Sequence, residues 1–417
     1  MRRRTLPATR RQEEGVALLA VLTLLGLAGL YLLLGQLNAA SYQAAREESA
    51  GRALVEARDA LVGEAISDAR VAYAGVFLLP DIGVRIATPD EGYASGTPPG
   101  ASRDYSVAGK IPWKSLDISA PRDRSGECLW YVLSGRFRSD VRTLVFNWDT
   151  RGQLMIFDAA GNLLADNVAA LVVAPGPALG SQDRRRADPD DPKYSECGDN
   201  YDARNYLDPF DAASAIAGRV NYFPGSNGNR VASDAGDKEF VVGANDSYND
   251  SFLYITADEL FDRLIRRSDF AVAVSKLLDD PDLRQQVETG RTQTVAVSAG
   301  PGKGTDNLDC AQVKAADVRV FCTNWKEMLF LTQLPVASPI TIDGLQTGAC
   351  VRVLIFAGRR TAGQIRVAPT DRVNPANYLE GANLTSFRVP VAAASSFAGW
   401  SQFDARYPER DLVRCLP

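Results

Sequence analysis

The chain has 417 residues, a formal net charge of -5 and no histidine. Its length allows two globular lobes, and a composition of 46% hydrophobic and 23% charged residues excludes wholesale disorder. The missing histidine removes Ser-His-Asp and Cys-His catalysis and every imidazole metal site. The sequence also has no Cys-x-x-Cys pair and no Ser-x-x-Lys signature placed with related motifs, so no catalytic residue is nominated and no enzyme is expected. There is no basic footprint for nucleic acid, and the dense basic cluster, Arg2, Arg3, Arg4, Arg10 and Arg11, precedes the first apolar run.

That run, Val16 to Gly35, carries no charge. At about 1.5 Å per residue it is long enough for a hydrocarbon core of about 30 Å, which predicts a membrane-spanning helix. Basic residues before it and Glu47, Glu48, Glu56 and Asp59 after it predict a cytoplasmic N-terminus with the bulk of the chain on the far side. No proline occurs from Val16 through Ile66, so the helix is expected to run on. In its second half Ala50, Leu54, Ala57, Leu61 and Ala65 share one face, while Glu48, Arg52, Glu56 and Asp59 share another.

The segment Arg10-Arg11-Gln12-Glu13-Glu14-Gly15-Val16-Ala17-Leu18-Leu19 is a basic leader ending in glycine that enters this two-part helix. It resembles the N-terminus of type IV pilins and type II secretion pseudopilins, over residues 1 to about 66. The resemblance implies cleavage after Gly15 by a prepilin peptidase and methylation of Val16. It also implies a single-pass protein of a bacterial inner membrane with a periplasmic C-terminal region, which can be extracted into a filament. The apolar half of the helix would then contact other pilin-like subunits, while the amphipathic half packs on an antiparallel β-sheet. Most of the family has phenylalanine where Val16 stands and glutamate where Ala20 stands. The lost carboxylate implies a minor subunit, at the tip or priming assembly. The alternative is a non-cleaved, signal-anchored periplasmic binding or adhesion module, with loops at Asp81–Arg124 and Gln182–Asp250 meeting a ligand.

The expected organisation is a leader at 1–15, the helix at 16–66, and two α+β regions at 67–255 and 256–417. Residues Asp81 to Arg124, including Gly96 to Gly100, read as a loop excursion. Strand signals follow at Cys128 to Val132 and Val141 to Asn147, then apolar runs on either side of a turn at Asp158 to Asn162, predicting an antiparallel meander. Gln182 to Asp250 is polar and reads as solvated loop. Weaker calcium candidates there are Asp188, Asp190, Asp191, Asp199 and Asp202, whose spacing lacks a calcium loop's glycine and distal glutamate. Thr256 with Glu259 forms a capping box that opens a helical block running to Pro281, followed by a shorter helix over Asp282 to Glu288. Strand signals resume from Thr292 to Val367.

A faint repeat relates Phe146-Asn147-Trp148 to Thr323-Asn324-Trp325, and the run Ala170 to Ala174 to Val353 to Ala357. Each run precedes a stretch with glycine and arginine, then Asn-Tyr-Leu plus an acid, at Asn205 to Asp208 and Asn377 to Glu380. This reads as a degenerate duplication. The cysteines, Cys128, Cys197, Cys310, Cys322, Cys350 and Cys415, predict disulfides rather than a metal site. Cys128 with Cys197 closes the first region. In the second, Cys322 pairs with either Cys350 or Cys310. Trp130, Trp148, Trp325 and Trp400 read as core or sheet aromatics.

Overall fold

A computed structural model describes residues 10–83, 90–96, 104–141, 145–209, 218–242, 248–288, 302–304, 309–388 and 395–417. The chain divides into two compact units, Met1–Ala53 and Leu54–Pro417. Helix α1 (Arg10–Ser67) is one continuous element, as the absence of proline requires. Its described apolar stretch is Leu19 to Leu27, where Leu19, Leu22, Leu24, Leu25 and Leu27 are exposed. The side chains of 1–18 and 28–46 lie outside the described residues. Among the described residues no helix is long and apolar enough to cross a membrane. The expected membrane-spanning helix, and the single-pass inner-membrane and periplasmic placement drawn from it, are corrected accordingly.

The second unit is α+β and holds two sheets. The first contains β1 (Val107–Lys110), β2 (Trp130–Leu133), β3 (Leu154–Asp158), β4 (Leu163–Ala174) and β5 (Lys238–Val242), in the order β1-β2-β4-β3-β5, with β6 (Ser251–Thr256) also on β4. Helices α2 (Ala257–Ile265), α3 (Ser268–Leu278) and α4 (Pro281–Glu288) follow. After β7 (Gly302–Gly304) and α5 (Ala316–Trp325) comes the second sheet. It comprises β8 (Leu329–Ile342), β9 (Leu345–Phe356), β10 (Ser396–Phe397) and β11 (Leu412–Leu416), in the order β10-β8-β9-β11, with β7 on β8. Helix α6 (Gly381–Arg388) lies in the connection from β9 to β10.

The two sheets repeat one connectivity. A hairpin, β3–β4 or β8–β9, leads through a long excursion to a strand parallel to its first arm, β5 or β10. The last strand, β6 or β11, then runs antiparallel to the second arm. Ala174 faces Ser251 in one sheet and Phe356 faces Leu412 in the other. Both sheets are therefore mixed, which corrects the purely antiparallel meander. The hairpin turns follow their residues: the Asp158 carboxylate accepts from the backbone N–H groups of Ala160 and Asn162, and Asp343-Gly344 takes positive φ at both positions.

β4 is buried without interruption from Val168 to Ala174, as a strand covered on both faces requires. On one face Trp130, Leu171 and Val173 pack with Tyr206, Leu207 and Phe223 from the excursion. Elsewhere Phe270 meets Phe321, Trp325 and Phe403 at ring separations of 5.7, 5.1 and 4.9 Å.

Three local expectations change. In Val141 to Asn147, residues 142–144 lie outside the described residues and Asn147 begins a turn, its Oδ1 accepting from Asp149 N–H. Thr323-Asn324-Trp325 ends helix α5, because Val318, Phe321, Cys322 and Trp325 recur at helical spacing and are buried together. Trp148 and Trp325 hence hold unlike positions and instead contact each other edge-on at 4.8 Å, which removes that pair from the repeat. The Asp81–Arg124 excursion contains β1 and is pinned in place. Buried Asp81 accepts from Gly83 and Gly92 N–H and from the Tyr201 hydroxyl, and the Lys110 ammonium donates to Cys197 and Gly198 carbonyls. Burial pushes the Asp81 carboxyl up to about 6 and Lys110 down to about 8.

Candidate functional site

The foot of α1 is built into the second unit. Leu54, Ala57, Leu61 and Ala65 are buried on the face expected from their spacing, Val62 is buried beside them, and Ala50 is half-buried. Arg58 donates to both Glu259 oxygens at 2.5 Å and to the Tyr254 carbonyl at 3.3 Å. Glu259 is set by its own cap, since Thr256 Oγ1 accepts from Glu259 N–H. Arg267 donates to the Ile66 carbonyl, a helix C-terminal group that otherwise lacks an intrahelical partner. Helix α1 thus ends in a fixed, charge-paired seat.

The two sheets carry matching polar devices. Arg184 donates to the carbonyls of Gly176 (2.6 Å), Asn205 (2.8 Å) and Tyr206 (3.2 Å) and to Gln182 Oε1 (2.7 Å), and lies 5.0 Å over the Tyr206 ring. Arg366 donates to the carbonyls of Gly358 (3.1 Å) and Asn377 and to Gln364 Oε1 (3.1 Å), and lies 4.2 Å over Tyr378. Gln182 in turn donates to Asp208 at 2.8 Å, and Gln364 to Glu380 at 2.6 Å. Each guanidinium thereby folds the Asn-Tyr-Leu-acid segment back onto the strand end it follows.

An Asn–Asp contact completes each copy. Asn221 exchanges hydrogen bonds with the backbone of Val241 and donates to Asp250 Oδ2 at 3.1 Å. Asn383 does the same with Ala398 and donates to Asp411 Oδ2 at 2.7 Å. Asp250 and Asp411 each stand just before the last strand of their sheet. Burial raises both carboxyls, Asp411 to about 7.

Sequence reasoning missed these groups. A usable signal was Gln182-Asp183-Arg184 against Gln364-Ile365-Arg366, upstream of the matching Asn-Tyr-Leu-acid segments.

The nominated residues fall as follows. Gly15 and Val16 lie within α1, and Ala20 is at its exposed surface with its carbonyl accepting from Thr23 Oγ1. The cysteines form disulfides Cys128–Cys197, Cys310–Cys322 and Cys350–Cys415, with Cα separations of 5.6, 5.7 and 5.4 Å. Of the calcium candidates, Asp199 accepts from Ala187 and Asp188 N–H, Asp188 from Asp190 N–H, and Asp191 and Asp202 cap short turns. Among the described residues no group of three or more acidic or cysteine side chains is placed to hold a metal ion. Trp130, Trp148 and Trp325 are buried. Trp400 instead borders an open groove of about 710 Å³ along the β8–β9 turn, with Asp343, Leu345, Thr347 and Gln402. Arg410 sits 4.6 Å over its ring. Comparison with protein-family models, curated proteins and solved structures finds no match to this chain.

Proposed function

We propose that the chain is a pilin-like minor subunit, at the tip or priming position of a type IV pilus or a type II secretion pseudopilus, and that a prepilin peptidase cleaves it after Gly15. The observation that carries this reading is α1: one unbroken helix from Arg10 to Ser67, leucine-studded and exposed from Leu19 to Leu27 and buried at its foot from Leu54 to Ala65. Such a helix supplies an apolar assembly element on a folded body, and its partners are other pilin-like subunits. Ala20 supports the minor role, because a subunit without a carboxylate there cannot offer one to a neighbour's terminal amine. N-terminal mass spectrometry of the chain from its native cells tests the proposal. The expected mature form begins at methylated Val16, and intact Arg2 to Gly15 in cells with active prepilin peptidase overturns it. The groove beside Trp400 favours a second reading as a binding or adhesion module, in which the leader is retained.

A further inference from the structure

The excursion between β4 and β6 closes on two buried acids. Asp208 N–H donates to Asp250 Oδ2 at 2.9 Å, and Asn249 N–H donates to Asp208 Oδ2 at 2.7 Å, so each acid holds the other's segment. Asn221 adds the bond from β5 described above and also meets the Tyr248 hydroxyl. Asp208 is 0% and Asp250 2% exposed, and Asp250 Oδ1 is buried with no hydrogen-bond partner.

The cation facing both acids is Arg184. Its donors are already spent on three carbonyls and Gln182, and its other ionic neighbour is Glu127 at 3.5 Å. The remaining groups against the pair, Gln182, Asn221, Asn249 and the Tyr248 hydroxyl, are neutral. Two carboxylates so enclosed cannot both ionise cheaply, and protonation of one relieves their repulsion.

We propose that Asp208 and Asp250 form a proton-held latch: one proton bound by the pair keeps the segments at Asp208 and Asn221 on β6 and β5, and loss of that proton to bulk base releases them. Burial first and the mutual repulsion of the pair second raise Asp250 well above the ordinary carboxylate range, and burial raises Asp208 as well. The folded pair binds more protons than the unfolded chain, so closure is complete at acid pH and is lost as pH rises through the raised value.

The test uses the full chain labelled with carboxyl-13C aspartate, titrated from about pH 3 to pH 10 across the ordinary and raised ranges. One carboxyl of the pair is expected to keep its acid form well above the ordinary carboxylate range. Amide exchange at Asp208, Asn221 and Val241, corrected for intrinsic rates, is expected to quicken at least about tenfold as that carboxyl ionises. Asp250→Asn, which keeps the shape without the charge, is expected to abolish the quickening. Both carboxyls titrating at ordinary acidic values overturns the latch, as does an unchanged exchange profile in Asp250→Asn. The carboxyl titration of the unsubstituted chain decides the matter even where the variant does not fold.

Discussion

The clamp around Arg184 and the clamp around Arg366 both hold the carbonyl of the glycine after the hairpin's second arm and the carbonyl of the asparagine in the Asn-Tyr-Leu segment, yet their counter-charges differ. Arg184 finds Glu127 at 3.5 Å, with the carboxylate side chain 34% exposed. Arg366 finds Asp149 at 3.2 Å, with both side chains sealed at 0% and 1% exposure. Asp149 comes from the turn between β2 and β3, so the second clamp is completed by a residue of the first sheet's segment. One polar motif therefore serves two ends: local closure of a loop in the first copy, and a tie between the sheet segments in the second. Their surfaces differ as well, since Asp183 and Arg185 form an exposed ion pair where Ile365 and Val367 stand exposed beside the second clamp.

The largest expected effect breaks the tie. Asp149→Ala leaves Arg366 buried without its counter-ion and is expected to cost about 3–5 kcal/mol in denaturant unfolding, whereas Glu127→Ala at the half-exposed clamp is expected to cost at most about 1 kcal/mol. Equal losses would show that the clamps are equivalent after all. Next, Cys128 and Cys197 are 69 residues apart and Cys310 and Cys322 are 12 apart. Replacing each pair with serine is expected to cost about 4 and about 3 kcal/mol on loop-closure grounds, so calorimetry should rank the first bridge higher.

A smaller, pH-dependent effect probes the Asn–Asp contact of the second sheet. Burial chiefly, with Glu380 adding repulsion, raises Asp411 from an ordinary 3.8 to about 7 against the Gly358 N–H and Asn383. Its protonated form is favoured in the fold, so its contribution is full below about pH 4 and is lost as pH rises through about 7. The melting temperature of the chain is expected to show this decline, and Asp411→Asn to flatten it. Smallest is the seat of α1. Glu259→Ala removes the bidentate partner of a partly exposed Arg58 and is expected to cost about 1 kcal/mol by thermal melting.

Much of the α+β framework was legible because its signals are local. The N-cap of Thr256 on Glu259 N–H, the turn at Asp158 to Asn162, and the buried stripe Leu54 to Ala65 all act within a few residues. Helix α5 was misread as strand because its β-branched and aromatic residues carry strand propensity, while its burial follows a helical period imposed by Phe270. Strands β5 and β10 pair in parallel with partners far away in sequence, and no short-range pattern announces that. The clamps were hidden for a related reason. Buried arginines satisfied by carbonyls depend on where the chain returns, and the sequence shows only two arginines in polar stretches. At the candidate assembly helix, the end of α1 was readable while its seat on Glu259 and Arg267 was not.

The last strand, β11, ends the second sheet's order and is joined to β9 by Cys350–Cys415 as well as by its ladder. An edge strand held by hydrogen bonds alone can peel away and be traded for the same strand of another copy. With the bridge closed, β11 stays with its own sheet even when the ladder opens. Reduction would remove that protection and leave strand exchange between copies limited by the ladder and the backbone bonds to Trp400.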